Sequence, residues 1–158
     1  MRKLKLYLET SVWSHYYAED TKEKMEDTRL FFEAISKERY DVFISSAVVG
    51  EIDRAEINKR IRLHSLLKIY RPVELEVVPE VYQLSSKYIK SFVLPRNSYD
   101  DAFHAAITSV YNLDALISWN CKHLANIIRR NKINSVNLKY GYRQIDIFTP
   151  LEVIYSGE

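Results

Sequence analysis

The feature that most constrains this chain is a repeated handover, in which a short apolar run meets an acid or a hydroxyl residue and helical spacing begins at once. Leu4-Lys-Leu-Tyr-Leu8 runs into Glu9-Thr10-Ser11, and Tyr40-Asp-Val-Phe-Ile44 runs into Ser45-Ser46. Strand ends followed directly by helix N-caps are the signature of βα units. Between the two, residues 21–37 place Met25, Leu30, Phe31, Ala34 and Ile35 at three- and four-residue spacing among charges, giving a helix with one apolar face that returns the chain across a sheet.

The same alternation continues to the end. Residues 47–53 and 55–70 read as helices, 73–78 as a short strand between Pro72 and Pro79, and 80–92 as a helix. After a loop at 95–98 come a helix over 98–111, a buried strand over 114–119, a helix over 121–131, and two short strands at 144–148 and 151–155 either side of Pro150. Such a sequence implies parallel βαβ units in an α/β three-layer α/β/α sandwich with a central, mostly parallel sheet. At 158 residues the chain is expected to form a single domain.

Composition narrows the function classes. With 47% hydrophobic and 28% charged residues, three glycines and four prolines, the chain is an ordinary globule and not a disordered one. The net charge of +2 permits nucleic-acid binding without arguing for it. A lone Cys121 excludes an internal disulfide framework and a CxxC knuckle, and with them structural zinc. The start, Met1 to Glu9, lacks the apolar centre of a signal peptide, and no run approaches the roughly 20 apolar residues of a membrane span, so a cytoplasmic location with no membrane contact is expected.

Open parallel sheets bind ligands outside the carboxyl ends of their strands. Those positions are acidic here: Glu9 follows the first strand, Glu51 lies about one turn into the helix after the second, and Asp100-Asp101 open a later helix. A few carboxylates from separate elements suit Mg²⁺ or Mn²⁺, hard cations that fill their remaining positions with water and phosphate oxygens. Two of these acids also have a purely structural explanation. Glu9 could serve the dipole of the helix it precedes, and Ser98-x-x-Asp101 has the form of a capping box. Glu51 is harder to explain away, because it follows Ala47-Val48-Val49-Gly50 and faces the same side as Ala47. Gly50 costs its helix about 1 kcal/mol relative to alanine, so a close approach by another backbone is expected there. Asp100 and Asp101 project about 100° apart. Asp101 is the favoured ligand, since Ala105 lies one turn below it on a small-residue face, and Asp100 is the second choice.

Four stretches together resemble the PIN domain family, including the VapC-like toxins of toxin-antitoxin systems: Leu6-Tyr-Leu-Glu-Thr-Ser-Val-Trp13, Ile44-Ser-Ser-Ala-Val-Val-Gly-Glu-Ile52, Tyr99-Asp-Asp-Ala-Phe-His-Ala-Ala106 and Leu116-Ile-Ser-Trp-Asn-Cys-Lys-His-Leu124. Each is short, but their order and context span nearly the whole chain. The resemblance implies a Mg²⁺- or Mn²⁺-dependent ribonuclease leaving a 5′-phosphate and a 3′-hydroxyl, with Glu9, Glu51 and Asp101 as its acids. Glu9 stands where the family usually has aspartate. Asn120 stands at a fourth acidic position, where it can offer a carbonyl oxygen or bond a metal-bound water but cannot neutralise charge, which argues against a second metal. Asparagine there also suits the cap of the helix starting at Cys121. An antitoxin partner and homodimerisation follow from the resemblance alone.

The absence of a Ser-His or Cys-His arrangement agrees with hydrolysis by activated water, and Cys121 reads as a packing residue. Lys122, His123, Arg129 and Arg130 are the expected phosphate contacts for RNA, against the alternative that the two arginines simply stabilise a helix end. Tyr16 and Tyr17 could stack on bases but are expected in the core. His104, mid-helix beside alanines, reads as a packed or hydrogen-bonded residue and not a metal ligand. Trp119 could wall a pocket or belong to the core. Two other functions compete. A non-catalytic RNA-binding or scaffold PIN domain is motivated by Glu9 and Asn120. A receiver-like signalling domain would need an aspartate closing a central strand, where Ser45 stands instead.

Overall fold

The computed structural model describes residues 2–91, 99–120 and 123–156, without the side chains of Tyr99, residues 123–126 and Ser156. Its strands are β1 (Leu4–Leu8), β2 (Tyr40–Ser45), β3 (Val73–Leu75), β4 (Ala115–Ile117) and β5 (Asp146–Phe148). The helices are α1 (Thr10–His15), α2 (Lys22–Ser36), α3 (Ser46–Asp53), α4 (Ile57–Tyr70), α5 (Pro79–Lys90), α6 (Tyr99–Val110), α7 (His123–Lys139) and α8 (Pro150–Ser156). The five strands are all parallel in the order β3-β2-β1-β4-β5. Leu6, Tyr7 and Leu8 are buried, as expected of a central parallel strand covered on both faces. The chain moves from β1 to β2 to β3, then returns to place β4 on the other side of β1. That reversal puts the switch point of the sheet between β1 and β4, the crevice in which such sheets hold ligands.

Trp13 anchors the core beside the end of β1. It is fully buried, its ring centroid lies 5.1 Å from that of Phe32, and its indole N–H donates to the Leu8 carbonyl at 3.3 Å. Phe32 in turn meets Tyr70 of α4 at 4.7 Å. Helices α5, α6 and α7 pack together, tied by the Tyr88 hydroxyl donating to Asn137 Oδ1 at 2.5 Å and by Asn137 Nδ2 donating to Ser109 at 2.9 Å. Tyr16 and Tyr17 lie half-buried against the core, as the sequence suggests.

Three sequence expectations are corrected. Residues 151–155 form helix α8 and not a strand. The cause is a reciprocal capping box, in which Glu152 Oε1 accepts from the Thr149 N–H at 3.1 Å and Thr149 Oγ1 accepts from the Glu152 N–H at 3.2 Å, with Pro150 opening the helix. Helix α7 runs eight residues beyond 131, because Ile133, Val136 and Asn137 continue its buried face past the charged stretch that resembled an end. The strands at 73–78, 114–119 and 144–148 are each shortened to three residues, and Pro79 both follows the third strand's loop and opens α5.

Asp114, just before β4, accepts from both terminal nitrogens of Arg2 at 2.9 and 3.0 Å and from the Lys5 N–H at 2.8 Å. Burial pushes its carboxyl upward, but these bonds and the field of Arg2 outweigh burial and hold it below the ordinary value. A depressed acid stabilises the fold above the unfolded pKa of about 3.9 and loses that contribution as pH falls through the lower folded value. The Tm gap between the wild type and Asp114→Asn should therefore be widest near neutral pH and narrow as a pH series of melts passes below about 4. A constant gap would deny the linkage.

Candidate active site

Three of the four motifs meet at the carboxyl end of the sheet through one buried histidine. His104, on α6, is 2% exposed. Its Nε2 lies 3.1 Å from Glu51 Oε1, and its Nδ1 lies 2.7 Å from the Tyr7 hydroxyl, which lies 2.8 Å from Ser45 Oγ. Ser45 Oγ accepts from the Ala47 N–H at 3.2 Å and so caps α3. A carboxylate can only accept, so Nε2 carries a proton toward Glu51. With a neutral imidazole the chain runs one way: Ala47 N–H to Ser45, Ser45 to Tyr7, Tyr7 to Nδ1, and Nε2–H to Glu51. Burial, together with Glu51 and Glu9, pushes the Tyr7 phenol far above its ordinary value, so the hydroxyl remains a donor.

Burial disfavours charge on His104, yet the bond to Glu51 and the fields of Glu9, Glu51 and Asp101 outweigh it and raise its pKa. For Glu51 burial acts upward, but the bonds and fields of His104, helped by Thr10 and Arg54, win and leave its carboxyl below the ordinary value. The Thr10 hydroxyl stands close enough to favour ionised Glu51, yet its buried oxygen meets no partner in hydrogen-bond geometry.

Glu9 is 4% exposed and caps α1, accepting from the Ser11 N–H at 2.9 Å and from the Ser11 hydroxyl. Burial raises its pKa, with Glu51 adding to the rise and His104 opposing it. Ser11 Oγ accepts from the Trp119 N–H at 2.9 Å, joining the first motif to the end of β4. Asn120 Nδ2 reaches Glu9 Oε2 at 3.5 Å, and the Asn120 N–H donates to Ser118 Oγ at 2.9 Å. Trp119 is half-buried, its indole N–H on Thr28 at 2.8 Å.

Asp101 is half-buried on α6, 3.4 Å from Arg129 of α7. Burial raises its carboxyl, Arg129 and His104 pull it down, and the net shift is upward. Asp100 faces a separate cavity with Glu51. Arg130 turns away from the acids, toward Asp146 of β5 at 3.9 Å. Lys122, the side chain of His123, and the Ser98 of the anticipated capping box lie outside the described residues. Of the expected site residues, Glu9, Glu51, Asp101 and Asn120 are thus gathered around His104 and Ser11, and Arg129 joins them.

The sequence reading placed His104 correctly as hydrogen-bonded but missed that it organises the acids, and it missed Tyr7 altogether. The signal was present: His104 follows Asp100 and Asp101 by four and three residues, so it shares a helix face with them. Among the described residues, no three His, Cys, Asp or Glu side chains stand together in metal-binding geometry. Each acid is turned to a protein donor instead, Glu9 to Ser11, Glu51 to His104 and Asp101 to Arg129. The donor set still fits a hard divalent cation chemically: three carboxylates, two with pKa values raised partly by their acidic neighbours, and one orphaned hydroxyl.

No family model and no curated protein matches the chain. Among solved structures it is similar to a chain of VapBC2 from Rickettsia felis bound to a DNA fragment from its promoter, with a TM-score of 0.55 and 12% identity over 92% of this chain and 98% of that one. Likeness at that identity lies in the path of the backbone. Among the described residues no helix is long and apolar enough to cross a membrane. With an all-parallel five-stranded sheet flanked by helices and that structural neighbour, the chain has the PIN-like fold its four motifs resemble.

Proposed function

We propose that this chain is a metal-dependent ribonuclease that hydrolyses RNA phosphodiester bonds, with an antitoxin protein as its partner and a homodimer as its assembly. The observation that carries the reading is the gathering of Glu9, Glu51 and Asp101, from three separate elements, around one buried histidine at the switch point of a parallel sheet. Its similarity to a chain of a VapBC complex supports a toxin role.

Glu9, Glu51 and Asp101 would hold Mg²⁺ or Mn²⁺, with Asp100 as an auxiliary acid. Such an ion, when bound, supplies an activated water and shields charge on the phosphate. The protein's own part is positioning. Ser11 fixes Glu9, His104 fixes an ionised Glu51, and Arg129 offers a guanidinium beside Asp101 suited to a phosphate oxygen. Asn120 donates toward Glu9 and adds no charge.

That last contact also favours the second reading, a non-catalytic RNA-binding domain. Incubation of the chain with single-stranded RNA in Mg²⁺, in Mn²⁺ and in EDTA separates the two: metal-dependent cleavage lost in Glu51→Gln supports the enzyme, and binding without cleavage supports the module. Asn120→Asp would put a carboxylate beside Glu9, and by calorimetry Mn²⁺ should bind about tenfold more tightly, the lower end of what neighbours of metal ligands contribute. Unchanged affinity would remove position 120 from the site.

A further inference from the structure

A cavity of about 310 Å³ opens beside Glu51, between α3 and α6. On α3 its wall is Ala47, Gly50, Glu51 and Arg54, one helix face by spacing. Asp100, Phe103 and His104 face them from α6, and Val77 and Tyr82 close the far side. The segment carrying Val77 is held by the Tyr111 hydroxyl, which donates to the Glu76 carbonyl at 2.6 Å.

Two features of this cavity are not demanded by the core. A glycine inside a helix weakens it, and the close backbone approach expected at Gly50 is absent: a Cβ there would meet only the Arg54 guanidinium, at 3.6 Å. What the glycine provides is space. Tyr82 is the second feature, a ring 56% exposed yet fixed at right angles to Phe103, centroids 4.9 Å apart at 89°. An ordered ring left in solvent at the mouth of an aromatic-lined cavity is a stacking platform.

We infer that this cavity is a subsite for an unpaired nucleobase of single-stranded RNA, adjoining the acidic centre, with Tyr82 stacking on the base and Arg54 facing the phosphate that links it to the next nucleotide; the inference rests on the ribonuclease reading for its choice of ligand. Two aromatic rings and Val77 give flat apolar surface, Ser46 and Asp100 offer hydrogen-bonding groups for the edge of a heterocycle, and Arg54 is the cation for a phosphate. A base already paired and stacked in a duplex has no free face for the ring.

The test is binding of a single-stranded oligoadenylate carrying 2-aminopurine to the full chain in EDTA, where stacking is read by fluorescence and no metal-dependent cleavage occurs. Tyr82→Ala and Gly50→Leu, which remove the ring and fill the space, should each weaken binding by about tenfold, within the range of one base–aromatic stack. Tyr82→Phe should bind as the wild type does, and duplex RNA should not quench the probe. Thermal melts of the three variants identify any that fails to fold, and Tyr82→Ala, altered at an exposed position, carries the conclusion if Gly50→Leu does so. Affinity within twofold of wild type in Tyr82→Ala, equal loss in Tyr82→Phe, or no binding of the oligonucleotide by the wild type would each overturn the subsite, the last pointing to a protein occupant. The two readings fail separately: weakened binding by the variants with no cleavage by any protein removes the nuclease and keeps the subsite, whereas cleavage with unaltered binding does the reverse.

Discussion

Glu51→Gln should reduce metal-dependent RNA cleavage by at least about a hundredfold, the upper end of what losing a partner of a metal ligand costs, because here the ligand itself is changed. Glutamine keeps the length and shape of the side chain, and its amide oxygen can still accept from His104 Nε2, 3.1 Å away in the wild type. What disappears is the charge. Glu51 is the acid whose pKa the site lowers, whereas burial and neighbouring acids raise Glu9 and Asp101, so Glu51 is the carboxylate most firmly ionised near neutral pH. Losing that charge weakens the pairing with His104 but relieves the repulsion Glu51 exerts on Glu9 and Asp101, so the variant should remain folded in a thermal melt while losing cleavage in a gel assay with Mg²⁺ or Mn²⁺. Cleavage retained within a few-fold would dismiss Glu51 as a ligand and with it the proposed centre.

Trp13→Ala should cost about 3–5 kcal/mol of stability, the usual range for deleting a fully buried large aromatic side chain. That is a large share of the roughly 5–15 kcal/mol by which domains are stable. Trp13 packs on Phe32 and donates to the Leu8 carbonyl, so truncation opens a void and removes a hydrogen bond directly behind Glu9. Urea unfolding followed by far-UV circular dichroism measures the loss, and a cost below about 1 kcal/mol would show that α1 can collapse onto the gap.

The βα handovers made the fold legible, because Glu9 and Ser45 each do what a strand-end N-cap must do. The acids at those handovers were legible for the same reason. Local chemistry mattered more at the C-terminus, where Leu151, Val153 and Tyr155 alternate like a strand, but Thr149 and Glu152 close a capping box that no alternation can override. The contacts of the site were less legible. Tyr7 reads as one more apolar residue of β1 until His104, 97 positions later, is brought against its hydroxyl. The cavity beside Glu51 draws on α3, α5, α6 and the segment after β3, so it has no signature in any one stretch. Only the surplus glycine at position 50 hinted at it, and for a different reason from the one its surroundings reveal.

Ser45 has a consequence that reaches across the sheet. The same oxygen caps α3 and touches the Tyr7 hydroxyl, so the entry of the helix and the carboxylate of Glu51 within it are two ends of one closed circuit through β1 and α6. A circuit closed on itself leaves each member little freedom to turn alone. The first turn of α3 thus acts as a gauge of the acid's orientation: whatever tilts that helix relative to β1 must also re-aim Glu51, and a partner pressing on α3 from outside would act on the carboxylate without touching it.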